Sequence, residues 1–207
     1  MTSKRIPELT NFTPELEDSI VVYDLSTDET KRTTLDRMPG INGLLFKALS
    51  ADEAGQNVNT AQPWFPTSGA VALKASTLYA FEGYLRLSRA AGVTSHTLSL
   101  LFGGSVVISN IAYQAQVNTG DVVTNGAMNQ TAIEVATATV VKAASTSATE
   151  QVVVKVQGVL RTGTAGTLIP QFLYSAAPGG APTVLRNSNF KLYIMGASSD
   201  VSKGTWS

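Results

Sequence analysis

Apolar residues recur with period two along most of the chain, and the first forty residues lack that regularity. In LYAFEGYLRLS, Tyr79, Phe81, Gly83, Leu85 and Leu87 fall on one face, with Ala80, Glu82, Tyr84, Arg86 and Ser88 on the other. SHTLSLLFGG places His96, Leu98, Leu100 and Phe102 together and ends at Gly103-Gly104. QVVVKVQGVLR sets Val152, Val154, Val156 and Leu160 against Lys155 and Gln157, and NFKLYIMG aligns Phe190, Leu192 and Ile194. Such alternation is what a half-buried β-strand requires, because successive side chains point to opposite faces. Further strands are expected at 70–74, 105–117, 132–142 and 168–175. Pro170 is expected at a strand end or an edge, since it has no N–H to give a ladder.

Turn signals separate these runs: SRAAGVTS, NTGDVVTNGA, RTGTAGT and APGGAP. Roughly eight short strands with Gly-rich turns predict an all-β fold, an eight-stranded jelly-roll-like antiparallel sandwich over 69–207. Residues 39–68 read as a connector punctuated by Pro39, Gly40, Gly43, Gly55, Pro63 and Pro66. Residues 1–38 read as a small β adapter, too short to build a core alone. One helical turn is expected near TTLDRM, capped by Thr34 and stopped by Pro39.

Charge sharpens this division. Residues 1–55 hold 10 acids and 6 bases, whereas 56–207 hold 5 acids and 9 bases. The charged fraction is 14% and the net charge zero, against a usual charged fraction of about 25%. A soluble surface is normally rich in charge. A body this poor in it must use Ser, Thr, Asn, Gln and Ala, or cover surface with other chains, so an oligomer is expected. A neutral chain gives no electrostatic reason to expect nucleic acid. No run approaches a membrane span of about 18 apolar residues, so no membrane insertion is expected. The opening MTSKRIPELT lacks the apolar core of a signal peptide, so folding in a cytoplasm is expected.

Candidate chemistry is sparse. There is no cysteine and one histidine, His96, so a zinc site of His/Cys type has no ligands. A Ser–His–acid triad would have to use His96, which sits mid-strand with no G-x-S-x-G elbow in the chain. It reads as a core or interface histidine bonded to neighbouring backbone. Glycoside hydrolysis needs two carboxylates at a set separation. The body offers Glu82 on an outward strand face, and Asp121, Glu134, Glu150 and Asp200 as solvated loop or edge acids. DLSTDET has Asp24, Ser26 and Asp28 at calcium-loop spacing, but Glu29 and Leu35 stand where that loop needs Gly and Glu. GTAGT and GGAPT lack the Lys-Ser/Thr ending of a phosphate loop. No catalytic residue, metal or cofactor is therefore expected. Trp64, Phe65 and Trp206 lie outside the alternating strands, as surface-binding aromatics or as plugs at the sandwich end or connector junction.

Two resemblances add to this reading. KRIPEL, ELEDSIVVYD and ETKRTTLDRM resemble the N-terminal adapter motif of tailed-bacteriophage fibre and virion-appendage proteins. AQPWFPTSGAVAL, STLYAFEGYLRLSRAAGVTSHTLSLLFGG, GTLIPQFLYSAAPGG and the closing GTWS resemble phage tail-fibre C-terminal domains, over about 140 residues. The second resemblance implies a trimeric jelly-roll knob somewhat like the C1q and tumour-necrosis-factor sandwich. Together they imply a short homotrimeric tail fibre on the virion, assembled in the host cytoplasm. The adapter would dock on other virion proteins of the baseplate, tail or capsid, through Ile6, Leu9, Ile20, Val22, Leu25 and Leu35, which alternatively pack the trimer. The knob would meet a host-surface glycan or protein through loops 89–95, 118–131, 162–167 and 176–189. A capsid decoration protein or head fibre uses the same parts, and a fibre-borne depolymerase is the remaining alternative.

Overall fold

The computed structural model describes residues 19–24, 29–34, 44–122 and 127–200. The chain forms two compact units, Met1–Gly43 and Leu44–Ser207. In the first, β1 (Ser19–Asp24) and β2 (Glu29–Thr34) pair antiparallel in unbroken register, from Ser19 opposite Thr34 to Asp24 opposite Glu29. The two strands agree with the β structure expected of this stretch. Ile20 and Val22 lie in β1, opposite Thr33 and Lys31. Ile6, Leu9, Leu25, Leu35 and Trp206 lie outside the described residues. Thr34 closes β2 by pairing with Ser19, an extended conformation that a helix-capping residue also takes. The remainder of TTLDRM lies outside the described residues.

The second unit is all-β, and among the described residues there is no helix. Eight strands of six residues or more carry it: β7 (Thr77–Arg89), β8 (His96–Gly104), β9 (Ile108–Asn118), β10 (Met128–Ile133), β11 (Thr139–Ser145), β12 (Glu150–Thr162), β13 (Gly166–Tyr174) and β15 (Asn189–Ala197). Five shorter ones complete it: β3 (Leu44–Ala48), β4 (Glu53–Ala54), β5 (Gln62–Pro63), β6 (Val71–Leu73) and β14 (Thr183–Val184). They form two antiparallel sheets. The larger runs β10-β9-β12-β7-β14-β4, with β15 also on β7 and β3 on β15; the smaller runs β11-β8-β13-β5, with β6 also on β13. The result is a jelly-roll-like sandwich. The run expected as one strand at 132–142 is two, because the chain crosses between sheets there and the Ala136 carbonyl caps the Phe102 N–H at 2.8 Å.

The core is the inner half of each alternation. Tyr79, Phe81, Leu85 and Leu87 meet Val152, Val154, Val156 and Leu160 along the β7–β12 ladder, and all eight are buried. Leu98 and Leu100 face them from the smaller sheet with Leu168, Phe172 and Tyr174. Burying each such side chain is worth about 1.5–3 kcal/mol, which is what holds the layers together.

Trp64 and Phe65 belong to this core, at 1% and 2% exposure. They are therefore not surface-binding groups. Gly83 makes the slot for Trp64: a Cβ there would lie 2.6 Å from its ring and 2.8 Å from Phe190 and Val156. Trp64 meets Phe190 edge-on, and Phe81, Phe102, Tyr113 and Phe190 continue the aromatic cluster across both sheets. From Leu44 onward the expected connector is thus part of the sandwich, contributing β3, β4, β5 and two core rings. Pro170 also departs from expectation, sitting mid-strand in β13. Its carbonyl accepts the Trp64 N–H, while β5 pairs at Gln171–Phe172 and β6 at Gly166–Leu168. The missing N–H thus falls in the gap between two short strands, where no ladder asks for it.

Candidate functional site

The strand directions decide which loops meet. β7 and β12 are antiparallel with Arg89 opposite Glu150 and Leu78 opposite Arg161. Loops leaving residues 89, 118, 145 and 174 therefore gather at one end, and those leaving 104 and 162 at the other. Of the four expected contact loops, 89–95, the described 118–122 part of the second, and 176–182 converge. Loop 162–167 lies at the opposite end, a full strand away; Gly163 there bonds Val107 and Ser76. Residues 128–131 belong to strand β10. The convergent end also takes in 146–149 and 55–61, neither of which the sequence singled out. Gly179 N donates to Asn57 Oδ1 at 2.9 Å, and Gly55 N to the Pro182 carbonyl at 2.8 Å. Gly92 and Gly179 have φ of +89° and +88°, and a Cβ on Gly92 would lie 2.3 Å from the Pro178 carbonyl oxygen. Only glycine allows these two loops to press backbone to backbone.

Beneath the loops lies a buried ionic cluster. Arg89 donates to the carbonyls of Ala91, Gly92 (2.8 Å) and Ser147 (2.7 Å) and lies 3.4 Å from Glu150 Oε2. His96 Nε2 is 3.0 Å from the same oxygen, and its Nδ1 is 2.7 Å from the Thr94 carbonyl. Glu150 is 3% exposed, not the solvated acid expected; nitrogens of Arg89 and His96, one from each sheet, draw its carboxylate inward. His96 does bond neighbouring backbone, and its ring meets Tyr174 edge-on at 4.9 Å. Both ring nitrogens are spent inside the protein, so a triad arrangement, with a hydroxyl on one nitrogen and an acid on the other, is not the geometry present. Burial raises the Tyr174 hydroxyl pKa well above the usual phenol range; the Glu150 charge raises it further, and Arg89 offsets part of this.

A second buried cation fixes the neighbouring loop. A bulge in β11 turns Val141 and Lys142 inward in succession. Lys142 Nζ then donates to the carbonyls of Asn118, Thr119 and Gly120 at 3.2, 3.1 and 2.9 Å, and lies 3.7 Å from Asp121 Oδ1. Asn118, 2% exposed, bonds Gly120 O, Gln151 O and Val153 N. The role of Lys142 was not legible in advance, because nothing local shows where a strand bulges.

The surface these anchors present is small and almost uncharged: Val93 and Val122 stand out at 67% and 55% exposure among Ala, Gly, Ser, Thr and Pro. Among the described residues its loops carry no aromatic ring. Elsewhere, an apolar groove of about 450 Å³ opens between β3, β6 and β13, lined by Leu45, Phe65, Val71, Pro170, Phe190 and Leu192. Lys47 stands over it, 5.6 Å from the Phe65 ring centre and bonded to Ser68. Of the other acids, Glu82 is exposed, with Lys191 3.9 Å away, and Asp121 accepts from Ser145. Among the described residues, no three acids or histidines are grouped to hold a metal.

No family model matches the chain, and no curated protein does. Solved structures similar to it include the infectious bursal disease virus VP2 subviral particle, at 14% identity, 91% of this chain, 50% of that one and a TM-score of 0.20. Infectious bursal disease virus Gt and Gx strain structures follow at 13% identity, with TM-scores of 0.15 and 0.17. The chain spans about half the length of these chains. At such TM-scores the likeness carries no argument about function.

Proposed function

We propose that the chain is a virion structural protein, a short homotrimeric tail fibre. Residues 1–38 attach it to the particle, and the sandwich displays its convergent loops to the host surface. The observation that carries this is the loop end itself. Loops 90–95, 119–122 and 146–149 are tied to rigid strands by the buried Arg89, His96 and Lys142, with Glu150 beneath them, and 175–182 packs against 90–95 at Gly179 and Gly92. Loops positioned by a rigid scaffold are the usual place for recognition. With Trp64 and Phe65 buried, this end has no described ring to stack on a sugar, so a protein surface suits it better than a glycan. The separate β1–β2 unit, too small to hold its own core, fits an attachment role.

Deleting residues 1–38 is expected to leave a folded body that no longer enters particles; incorporation of the truncated protein would sink the adapter assignment. Imaging intact particles with a C-terminal label is expected to place density at the tail. Density on the capsid shell would make it a head fibre or decoration protein instead.

A further inference from the structure

The two sheets differ in what their outer faces can tolerate. The larger sheet carries Glu82, Arg86, Lys155, Arg161 and Lys191 along β7, β12 and β15. In all five strands of the smaller sheet the only Lys, Arg, Asp or Glu is Lys142, and it is buried on the loop carbonyls. The outward positions of β8 and β13 are Thr97, Ser99, Leu101, Gly103, Thr167, Ile169, Gln171 and Leu173. Register sets Leu101 beside Gln171, and Ser99 between Leu173 and Val140. Val140 is 52% exposed, and Leu101, Ile169 and Leu173 are half-buried without belonging to the core cluster. Gln171 lies flat over Gly103, where a Cβ would be 2.2 Å from its Oε1. An antiparallel sheet with one face in water should alternate apolar and polar; strands apolar on both faces belong to sheets covered on both. In LSLLF and LIPQFLY the outward Leu101, Ile169 and Leu173 break that alternation.

We infer that the outer face of the five-stranded sheet is the contact between copies of this chain, centred on Leu101, Ile169 and Leu173. The occupant is a second copy because of charge. Near a rotation axis each residue meets its own symmetry mates, so any charge there faces its like, and a face without charge is what such an axis admits. A different partner would be steered and registered by complementary charge, of which this face has none. The size suits as well. The nine-residue strands β8 and β13 run about 30 Å, and four strands across give about 15–20 Å. That is roughly 500 Å² of sheet before flanking loops, approaching the roughly 800 Å² per partner of a standard interface.

This inference rests on the reading of the chain as an assembly protein, and its test is separable from that reading. Sedimentation of the full chain is expected to give a multiple of 21.8 kDa. Leu173→Lys and Leu101→Glu are expected to raise the dissociation constant at least 100-fold with an unchanged circular dichroism spectrum. Val159→Lys, on the outer face of the larger sheet, is expected to leave assembly intact. Should either smaller-sheet variant fail to fold, thiol labelling decides. The chain has no cysteine, so Gln171→Cys gives one reporter, expected to react with a maleimide at least tenfold more slowly than Val159→Cys. Equal labelling rates, a Leu173→Lys protein that stays assembled, or a monomeric parent protein would each overturn the interface. None of these outcomes touches the particle-incorporation test, which judges the virion role alone.

Discussion

At the loop-bearing end of the sandwich, strands are tied by buried charge; at the far end, by hydroxyls and backbone. Arg89, His96 and Glu150 share one carboxylate, and Lys142 gathers three carbonyls. At the far end Thr162, 1% exposed, takes the Thr77 N–H at 3.0 Å and donates to the Lys74 carbonyl at 2.7 Å. Arg161 there reaches the Ser198 and Ser199 carbonyls from the surface. The lesson concerns loop size. Short turns such as 163–165 find backbone partners on adjacent segments, as Gly163 does with Val107 and Ser76, while long loops leave carbonyls that need a multi-donor cation to collect them. Burying those cations is costly unless each donor is matched, so the loop end is stiff but intolerant of partial loss.

That contrast can be broken most sharply at Glu150. Glu150→Gln leaves two buried nitrogen donors without their carboxylate, and chemical denaturation is expected to show a loss of about 3 kcal/mol. Lys142→Met removes the collector of three carbonyls. A loss of about 2 kcal/mol is expected, with faster amide exchange confined to the 118–122 turn. At the neutral end, Thr162→Val deletes one donor and one acceptor and should cost about 1–2 kcal/mol, leaving the far loops undisturbed. A loss at Thr162 equal to that at Glu150 would erase the distinction between the two ends.

The smallest effect at neutral pH belongs to Tyr113, whose buried hydroxyl has no partner among the described residues. Burial pushes its pKa up to about 12. The folded state therefore keeps this proton after the unfolded chain begins to lose it near pH 10. Stability from the protonated form is full below about pH 10 and falls as pH rises toward about 12. Tyr113→Phe is expected to change stability by no more than about 1 kcal/mol at pH 7 and to flatten the alkaline decline. Thermal melts across pH 9–12 check both, and an unchanged slope would refute the assignment.

Legibility followed the range of the interaction. The inward faces at Tyr79, Leu98, Val154 and Leu192 could be read from alternation, since one register of burial satisfies the whole strand. Trp64 was not legible, because its slot is made by Gly83 on a strand nineteen residues away in sequence. Glu150 looked like a surface acid because its partner Arg89 lies 61 residues earlier.

Local pattern was enough to specify an all-β sandwich with a charged two-stranded preface and a body poor in charge. It also determined which half of each long strand faces inward. Period, turn chemistry and composition are local, and they are enough for that. Pairing between distant strands, by contrast, brings three loops far apart in sequence to one end and leaves loop 162–167 at the other. The same packing sent Trp64 and Phe65 to the core and buried two cationic side chains, Arg89 and Lys142, beneath the loops. Register and bulges between distant strands fix those placements, and no stretch of the chain contains them on its own.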